Sequence, residues 1–138
     1  MIIIDQIRQN ALGELANKYE LKLLVLFGSQ ASGRISQESD YDIAYLSEKN
    51  LSIEEESQLI LDLMPVLQVA DERLINLVSM KTRNPLLLYS ITHKGKVLFE
   101  REPSIFYSLK LYAWKVFADS KLFRDNCFRI IKERVLAM

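Results

Sequence analysis

The sequence has little of several features, and each shortage excludes a class of protein. Its single cysteine, Cys127, excludes an internal disulfide framework and a cysteine-rich zinc site. Four glycines and three prolines among 138 residues argue against long flexible linkers. No apolar run approaches the roughly 18 residues that a membrane span requires, so we expect no membrane association. Eighteen basic and eighteen acidic side chains give no net charge, which disfavours direct binding of nucleic acid.

What is present is typical of a folded globular domain. Apolar residues make up 49% of the chain and charged residues 26%. A chain of 138 residues is long enough for one hydrophobic core and too short for two. The stretch from Met1 to Asp5 has neither the basic lead nor the cleavage site of a signal peptide. A single thiol is also typical of proteins in a reducing compartment, so we expect a single domain in the cytoplasm.

The basic end of the chain is rich in apolar side chains at helical spacing. Residues 36–72 hold ten acidic side chains and one lysine, whereas residues 73–138 hold thirteen basic and five acidic ones. Two apolar stripes run through this basic end, at Ile105, Leu109, Tyr112 and Val116 and at Phe123, Cys127, Ile130, Ile131 and Val135. So short a chain is not expected to cover both stripes, which predicts a homo- or hetero-oligomer formed through the C-terminal helices.

Hydrophobic periodicity and capping signals predict nine elements. Ser52 and Glu55 form a capping box at the start of one helix, and Asn84-Pro85 opens another that Gly95 closes. The helices are predicted at residues 2–18, 52–68, 84–95, 103–118 and 120–136, and the strands at 21–27, 40–46, 73–79 and 96–99. The order α-β-β-α-β-α-β-α-α predicts an α/β fold, a small mixed β-sheet flanked by helices with further helices at the C-terminus.

One stretch combines two features whose spacing points to chemistry. A buried apolar strand ends at Gly28-Ser29, where glycine lets the backbone turn sharply and lets a bulky anion approach. Ten residues later, Asp40-Tyr41-Asp42 opens the next strand. Side chains two residues apart on a strand project from the same face, so the two carboxylates lie together and Tyr41 points to the opposite face, toward the core.

Two neighbouring carboxylates repel each other unless a cation lies between them. Mg²⁺ suits such a pair, because it prefers oxygen ligands and usually retains positions for water and substrate phosphates. A phosphate-binding turn that faces a metal-binding pair is what phosphoryl or nucleotidyl transfer requires. Either half alone is more typical of a turn and a surface strand, and it is the combination that indicates a site.

Gly28-Ser29, ten intervening residues and Asp40-Tyr41-Asp42 resemble the signature of the DNA polymerase beta-type nucleotidyltransferase superfamily. The short chain resembles the minimal nucleotidyltransferase (MNT) branch, and the stretch 84–100 is similar to the helix and final strand of that branch. The resemblance implies a single nucleotidyltransferase domain over residues 1–138. Its core lies at about 10–100 and a C-terminal helical segment at about 103–136.

The resemblance also implies a reaction and a partner. Members of the family bind ATP with two Mg²⁺ ions on three carboxylates and transfer AMP to a hydroxyl group. Asp40 and Asp42 would then bind the metal, and Gly28 and Ser29 would hold the triphosphate. Many MNT proteins are antitoxins that add AMP to a tyrosine of a HEPN-domain ribonuclease toxin, so the implied partner is a HEPN toxin.

The third carboxylate of the family precedes a run that matches residues 74–77 here, which puts Arg73 in the expected acidic position. An arginine offers only donors and cannot ligate Mg²⁺. Asp71 would share a face with position 73 if the strand extended that far, so it is the candidate third ligand and catalytic base. Alternatively one metal is lost, and Arg73 reaches the phosphates or pairs with Asp42. Arg34, in the loop between the two halves of the motif, is a further candidate for a phosphate contact.

Two alternative functions remain open at this point. A catalytically degenerate MNT antitoxin would neutralise its toxin by binding alone. A small-molecule nucleotidyltransferase, acting on an antibiotic hydroxyl for example, is the second alternative. Such enzymes usually carry a further substrate-binding domain, and the roughly 40 residues after the fourth predicted strand leave little room for one.

Overall fold

A computed structural model describes residues 6–28, 40–81 and 84–137 of the chain. The order of its elements confirms the predicted α/β arrangement, and the loop that holds Arg34, between the two halves of the motif, lies outside the described residues. The elements are α1 (Gln6–Tyr19), β1 (Leu21–Phe27), β2 (Tyr41–Ser47), α2 (Ile53–Leu67), β3 (Ile75–Ser79), α3 (Pro85–Lys94), β4 (Lys96–Glu100), α4 (Ile105–Asp119) and α5 (Lys121–Leu136).

The four strands form one mixed sheet in the order β3-β2-β1-β4. β1 runs antiparallel to both β2 and β4, whereas β3 runs parallel to β2. A parallel neighbour requires a crossover connection, and α2 lies in that connection between β2 and β3. The register sets Phe27 of β1 and Asn76 of β3 on either side of Asp42. The end of β1 and the beginnings of β2 and β3 therefore meet at one edge of the sheet.

β1 lies inside the sheet, and helices cover both of its faces. Leu24 and Leu26 pack in one core cluster with residues of α1 and α2. Leu23 and Val25 pack in a second cluster with residues of α3 and α4. All four side chains are buried. Burial on both faces explains why this strand is continuously apolar rather than alternating.

β3 begins two residues later than the sequence pattern indicated. The strand expected from position 73 starts instead at Ile75, because Glu72–Leu74 form a 3₁₀ turn. The side chain of Asp71 caps this turn by accepting a hydrogen bond from the backbone N–H of Arg73 at 3.0 Å. A local cap of this kind competes with the hydrogen bonds of a strand ladder, so the chain joins the sheet only after the turn.

Two predicted helix starts are present in the structure. The backbone N–H of Glu55 donates to Oγ of Ser52 at 3.1 Å, and the backbone N–H of Ser52 donates to Oε1 of Glu55 at 3.2 Å. Asn84 caps α3 by accepting from two backbone N–H groups of the first turn, and Pro85 occupies the first helical position. Both caps satisfy donors that a helix start otherwise leaves unpaired.

Replacing Ser52 with alanine is expected to lower the free energy of unfolding by about 1 kcal/mol, because α2 loses a capping acceptor. Urea denaturation followed by circular dichroism measures the change. Ser57→Ala, at an exposed position within the same helix, is the matched control and should be neutral or slightly stabilising, since alanine is the better helix former. Equal effects of the two substitutions would show that the capping box contributes nothing.

The two C-terminal helices differ in burial. α4 buries Ala113 and packs Ile105 and Leu109 against the sheet, whereas no residue of α5 is buried. We call the exposed apolar side chains of both helices the C-terminal apolar surface, made of Tyr107, Leu111, Tyr112, Trp114, Leu122, Phe123, Phe128, Ile130, Ile131, Val135 and Leu136. None of the described helices is long and apolar enough to cross a membrane.

Candidate active site

Gly28 ends β1 in a backbone conformation that favours glycine. Its φ angle is +77°, in the left-handed region. A Cβ atom added at this position would collide with Oδ2 of Asp42. The missing side chain therefore lets the end of β1 lie directly against the Asp42 carboxylate.

Asp40 and Asp42 lie at the start of β2. Asp40 immediately precedes the strand and is exposed, and Asp42 is the second residue of the strand and half-buried. Tyr41 and Ile43 pack into the core cluster beneath α1 and α2. Because side chains alternate along a strand, Asp42 projects toward the opposite face of the sheet, the side of α3 and α4.

Asn76 of β3 links the two carboxylates. Its Nδ2 donates to Oδ2 of Asp40 at 3.3 Å and to Oδ1 of Asp42 at 3.2 Å. The parallel register pairs Asn76 with Asp42, and the flanking Ile75 and Leu77 pack into the core on the other face. Asn76 is not among the site residues that the sequence motifs predict. Its signal was a single polar side chain between apolar neighbours in a predicted strand.

Asp71 and Arg73 bind each other. Nη2 of Arg73 donates to Oδ2 of Asp71 at 2.9 Å, and Nε donates to both carboxylate oxygens at 3.2 Å. The hydrogen bond from this guanidinium holds the pKa of Asp71 below its usual value, which weakens Asp71 as a base. The Arg73 side chain is 86% exposed. The expected pairing of Arg73 with Asp42 is thus not formed. The strand starts only at Ile75. Even if it extended to Asp71, alternation would set Asp71 on the face of Ile75 and Leu77, which pack in the core opposite Asp42.

Two predicted nucleotide-binding residues, Ser29 and Arg34, lie outside the described residues. Within residues 6–28, 40–81 and 84–137, no three His, Cys, Asp or Glu side chains come close enough together to hold a metal ion. The described part of the site is therefore two carboxylates joined by one amide, next to a backbone turn without a side chain. Its polar ligands are oxygen donors, which suit Mg²⁺ and Mn²⁺.

Comparison with known proteins identifies the family of the chain. Residues 10–104 match the family described as Polymerase beta, Nucleotidyltransferase. This range contains all four strands and both carboxylates. The Protein adenylyltransferase MntA of Aphanizomenon flos-aquae (strain 2012/KM1/D3) is 31% identical over an alignment of 105 residues, and the alignment covers 70% of this chain and 69% of that protein.

Solved structures have the same fold. A chain of a crystallised toxin–antitoxin complex with AMP-PNP superposes with a TM-score of 0.72 at 21% identity, over 90% of this chain and 98% of that chain. A chain of the complex between the tri-AMPylated HEPN toxin of Shewanella oneidensis and its MNT antitoxin gives a TM-score of 0.67 at 19% identity, over 92% and 98% of the two chains. At these identities the similarity establishes the fold.

Proposed function

The chain belongs to the polymerase beta nucleotidyltransferase family, and we propose that it is an antitoxin that transfers AMP from ATP to a tyrosine hydroxyl of a HEPN-domain toxin. The observation that carries the proposal is the pairing of Asp40 with Asp42 against the bare backbone of Gly28. The relative named a protein adenylyltransferase and the fold shared with a complex that contains an AMPylated HEPN toxin support the choice of acceptor.

In this reaction the acceptor hydroxyl oxygen bonds to the α-phosphorus of ATP, and the bond from that phosphorus to the bridging oxygen breaks. Pyrophosphate leaves with the electron pair of the broken bond, and the hydroxyl proton passes to solvent water. Asp40 and Asp42 would hold one or two Mg²⁺ ions. A bound ion would neutralise charge on the phosphates and lower the pKa of the acceptor hydroxyl. Gly28 brings the end of β1 against the Asp42 carboxylate, and Gly28, Ser29 and Arg34 remain the proposed nucleotide ligands.

We propose that the toxin binds to the C-terminal apolar surface. Lys121 and Arg129 are each paired with an acidic residue of α5, whereas Lys132 and Arg134 form no ion pair among residues 6–28, 40–81 and 84–137. Two copies of so basic a helix would repel each other, which favours a partner with an acidic rim over a second copy of this chain. The surface combines exposed apolar and basic side chains, as protein interfaces do.

Replacing Ile131 with aspartate is expected to weaken toxin binding at least tenfold without unfolding the chain, because this side chain is 60% exposed and lies within the proposed interface. Ile53→Asp, on α2 and 79% exposed, introduces the same change outside the interface and should leave binding intact. Isothermal titration calorimetry with the purified toxin compares the two variants. Equal affinities would place the toxin on another surface.

A second candidate function is neutralisation by binding alone. It is favoured by the absence of a cluster of three metal-ligating side chains among residues 6–28, 40–81 and 84–137. Such a protein would use the same C-terminal apolar surface and would leave its toxin unmodified. Whether the toxin is modified separates the two candidates.

The decisive experiment incubates the chain, α-labelled ATP and Mg²⁺ with the HEPN protein encoded beside it. Label and the mass of an AMP group on a toxin tyrosine are expected, together with loss of its ribonuclease activity. Loss of ribonuclease activity without label would establish the binding-only candidate. Label that appears only on a small hydroxyl compound would instead establish a small-molecule nucleotidyltransferase.

Two further points belong to the proposal. The whole chain would act as one nucleotidyltransferase domain, since the family match at 10–104 spans the sheet and α4 packs on it. Its working compartment would be the cytoplasm, where ATP is abundant and the free thiol of Cys127 stays reduced.

A further inference from the structure

The side chain of Asn76 lies against the two site carboxylates rather than in the core. It is exposed, while Ile75 and Leu77 on either side of it pack beneath α1 and α2. Its described contacts are the hydrogen bonds from Nδ2 to one oxygen of Asp40 and one oxygen of Asp42. At 3.3 and 3.2 Å these bonds lie at the long end of the range for N–H···O.

An amide group can act on the two carboxylates in either of two ways. Its NH₂ end is a donor that partly offsets their mutual repulsion when no cation lies between them. Its carbonyl end is an acceptor with two lone pairs, of the kind that ligates Mg²⁺, Mn²⁺ and Ca²⁺. Rotation about the last side-chain bond exchanges the two ends without moving the backbone, and the two orientations have nearly the same shape.

We propose that Asn76 is a neutral third ligand of the cation site, turning its carbonyl oxygen to the ion that Asp40 and Asp42 hold and its NH₂ group to those carboxylates when the ion is absent. This inference rests on the cation site of the proposed function. Two carboxylates and an amide carry a charge that balances one divalent cation. A second ion therefore depends on the phosphates of the nucleotide for the rest of its charge compensation.

Mn²⁺ binding to the purified chain, without nucleotide or toxin, tests the proposal through electron paramagnetic resonance of the free ion. Asn76→Asp keeps the shape of the side chain and adds one negative charge, so Mn²⁺ should bind at least about tenfold more tightly. Asn76→Ala removes the carbonyl oxygen and should weaken binding several-fold. Asn50→Asp is the matched control, since it adds the same charge in the loop beyond the opposite end of β2, and should leave the affinity within about twofold of the wild type.

An unchanged affinity in Asn76→Ala would overturn the proposal, as would equal affinities of Asn76→Asp and Asn50→Asp. Failure of the wild-type chain to bind Mn²⁺ saturably would overturn it too. The readout needs neither ATP nor toxin, so it is separate from the test of function. If the Mn²⁺ affinities change as expected but the toxin is not labelled, the proposed AMP transfer is refuted and the role of Asn76 in cation binding is supported. If the toxin is labelled but substitutions at position 76 leave the Mn²⁺ affinity unchanged, the proposed transfer is supported and the role of Asn76 is refuted.

Discussion

AMP transfer to the toxin is expected to fall by about 1,000-fold or more when Asp40 and Asp42 are both replaced with asparagine. The double substitution removes both negative charges that would hold Mg²⁺ against the phosphates. It also removes the repulsion between neighbouring carboxylates, so the free energy of unfolding should be unchanged or slightly higher. Transfer is measured with α-labelled ATP, and stability by thermal denaturation in the same buffer.

Two comparisons sharpen this test. Glu14→Gln combined with Glu54→Gln removes two exposed carboxylates from α1 and α2 and should preserve transfer. This control distinguishes the loss of the two site carboxylates from the accompanying change in net charge. Asp71→Asn should also preserve most of the activity, because Asp71 caps a turn and pairs with Arg73. A loss of transfer in Asp71→Asn as large as in the double variant would restore Asp71 as the third carboxylate. Full transfer by the double variant would refute the proposed active site.

Gly28→Ala is expected to reduce transfer at least tenfold while destabilising the chain by only about 1–2 kcal/mol. The small energetic cost is that of a side chain at a positive φ angle. The large catalytic cost arises because the new Cβ collides with Oδ2 of Asp42. The carboxylate can relieve the collision by rotating, but rotation takes it away from Asp40 and Asn76.

Gly13→Ala is the matched control, since it makes the same change within α1, where an added Cβ meets no atom within 4 Å. It should stabilise the chain by about 0.5–1 kcal/mol, because glycine within a helix is less favourable than alanine, and it should leave transfer unchanged. Opposite signs of the two stability changes, with transfer lost only at position 28, are the expected result. Normal transfer by Gly28→Ala would mean that the Asp42 carboxylate does not need its present position.

Much of the architecture could be predicted because its signals are local. The capping box at Ser52, the proline that follows Asn84 and the apolar run of β1 each report on a few consecutive residues. The two-residue spacing of Asp40 and Asp42 is local as well, since strand geometry alone sets neighbouring alternate side chains on one face. The family resemblance rested on the same short segments.

The structure differs from the sequence-based expectation where distant segments meet. The alignment of a short apolar run placed Arg73 at the third ligand position, and a plain strand would have brought Asp71 to the same face. The 3₁₀ turn at Glu72–Leu74 delays the strand until Ile75, and the parallel register sets Asn76 beside Asp42. That register, which joins residues far apart in the chain, is what leaves Ile75 and Leu77 in the core and Asn76 next to the carboxylates.

The sequence by itself determined the order of the elements, the helix starts and the presence of paired carboxylates after a glycine turn, since each depends on neighbouring residues. Only the tertiary structure decided that the pair meets an amide, that Gly28 lies against Asp42, and that α5 is left uncovered. The first two features depend on the register of the strands, and the third depends on how much of the sheet and of the other helices is available to pack against α5. Both are properties of the assembled sheet, because they join residues that are far apart in the chain.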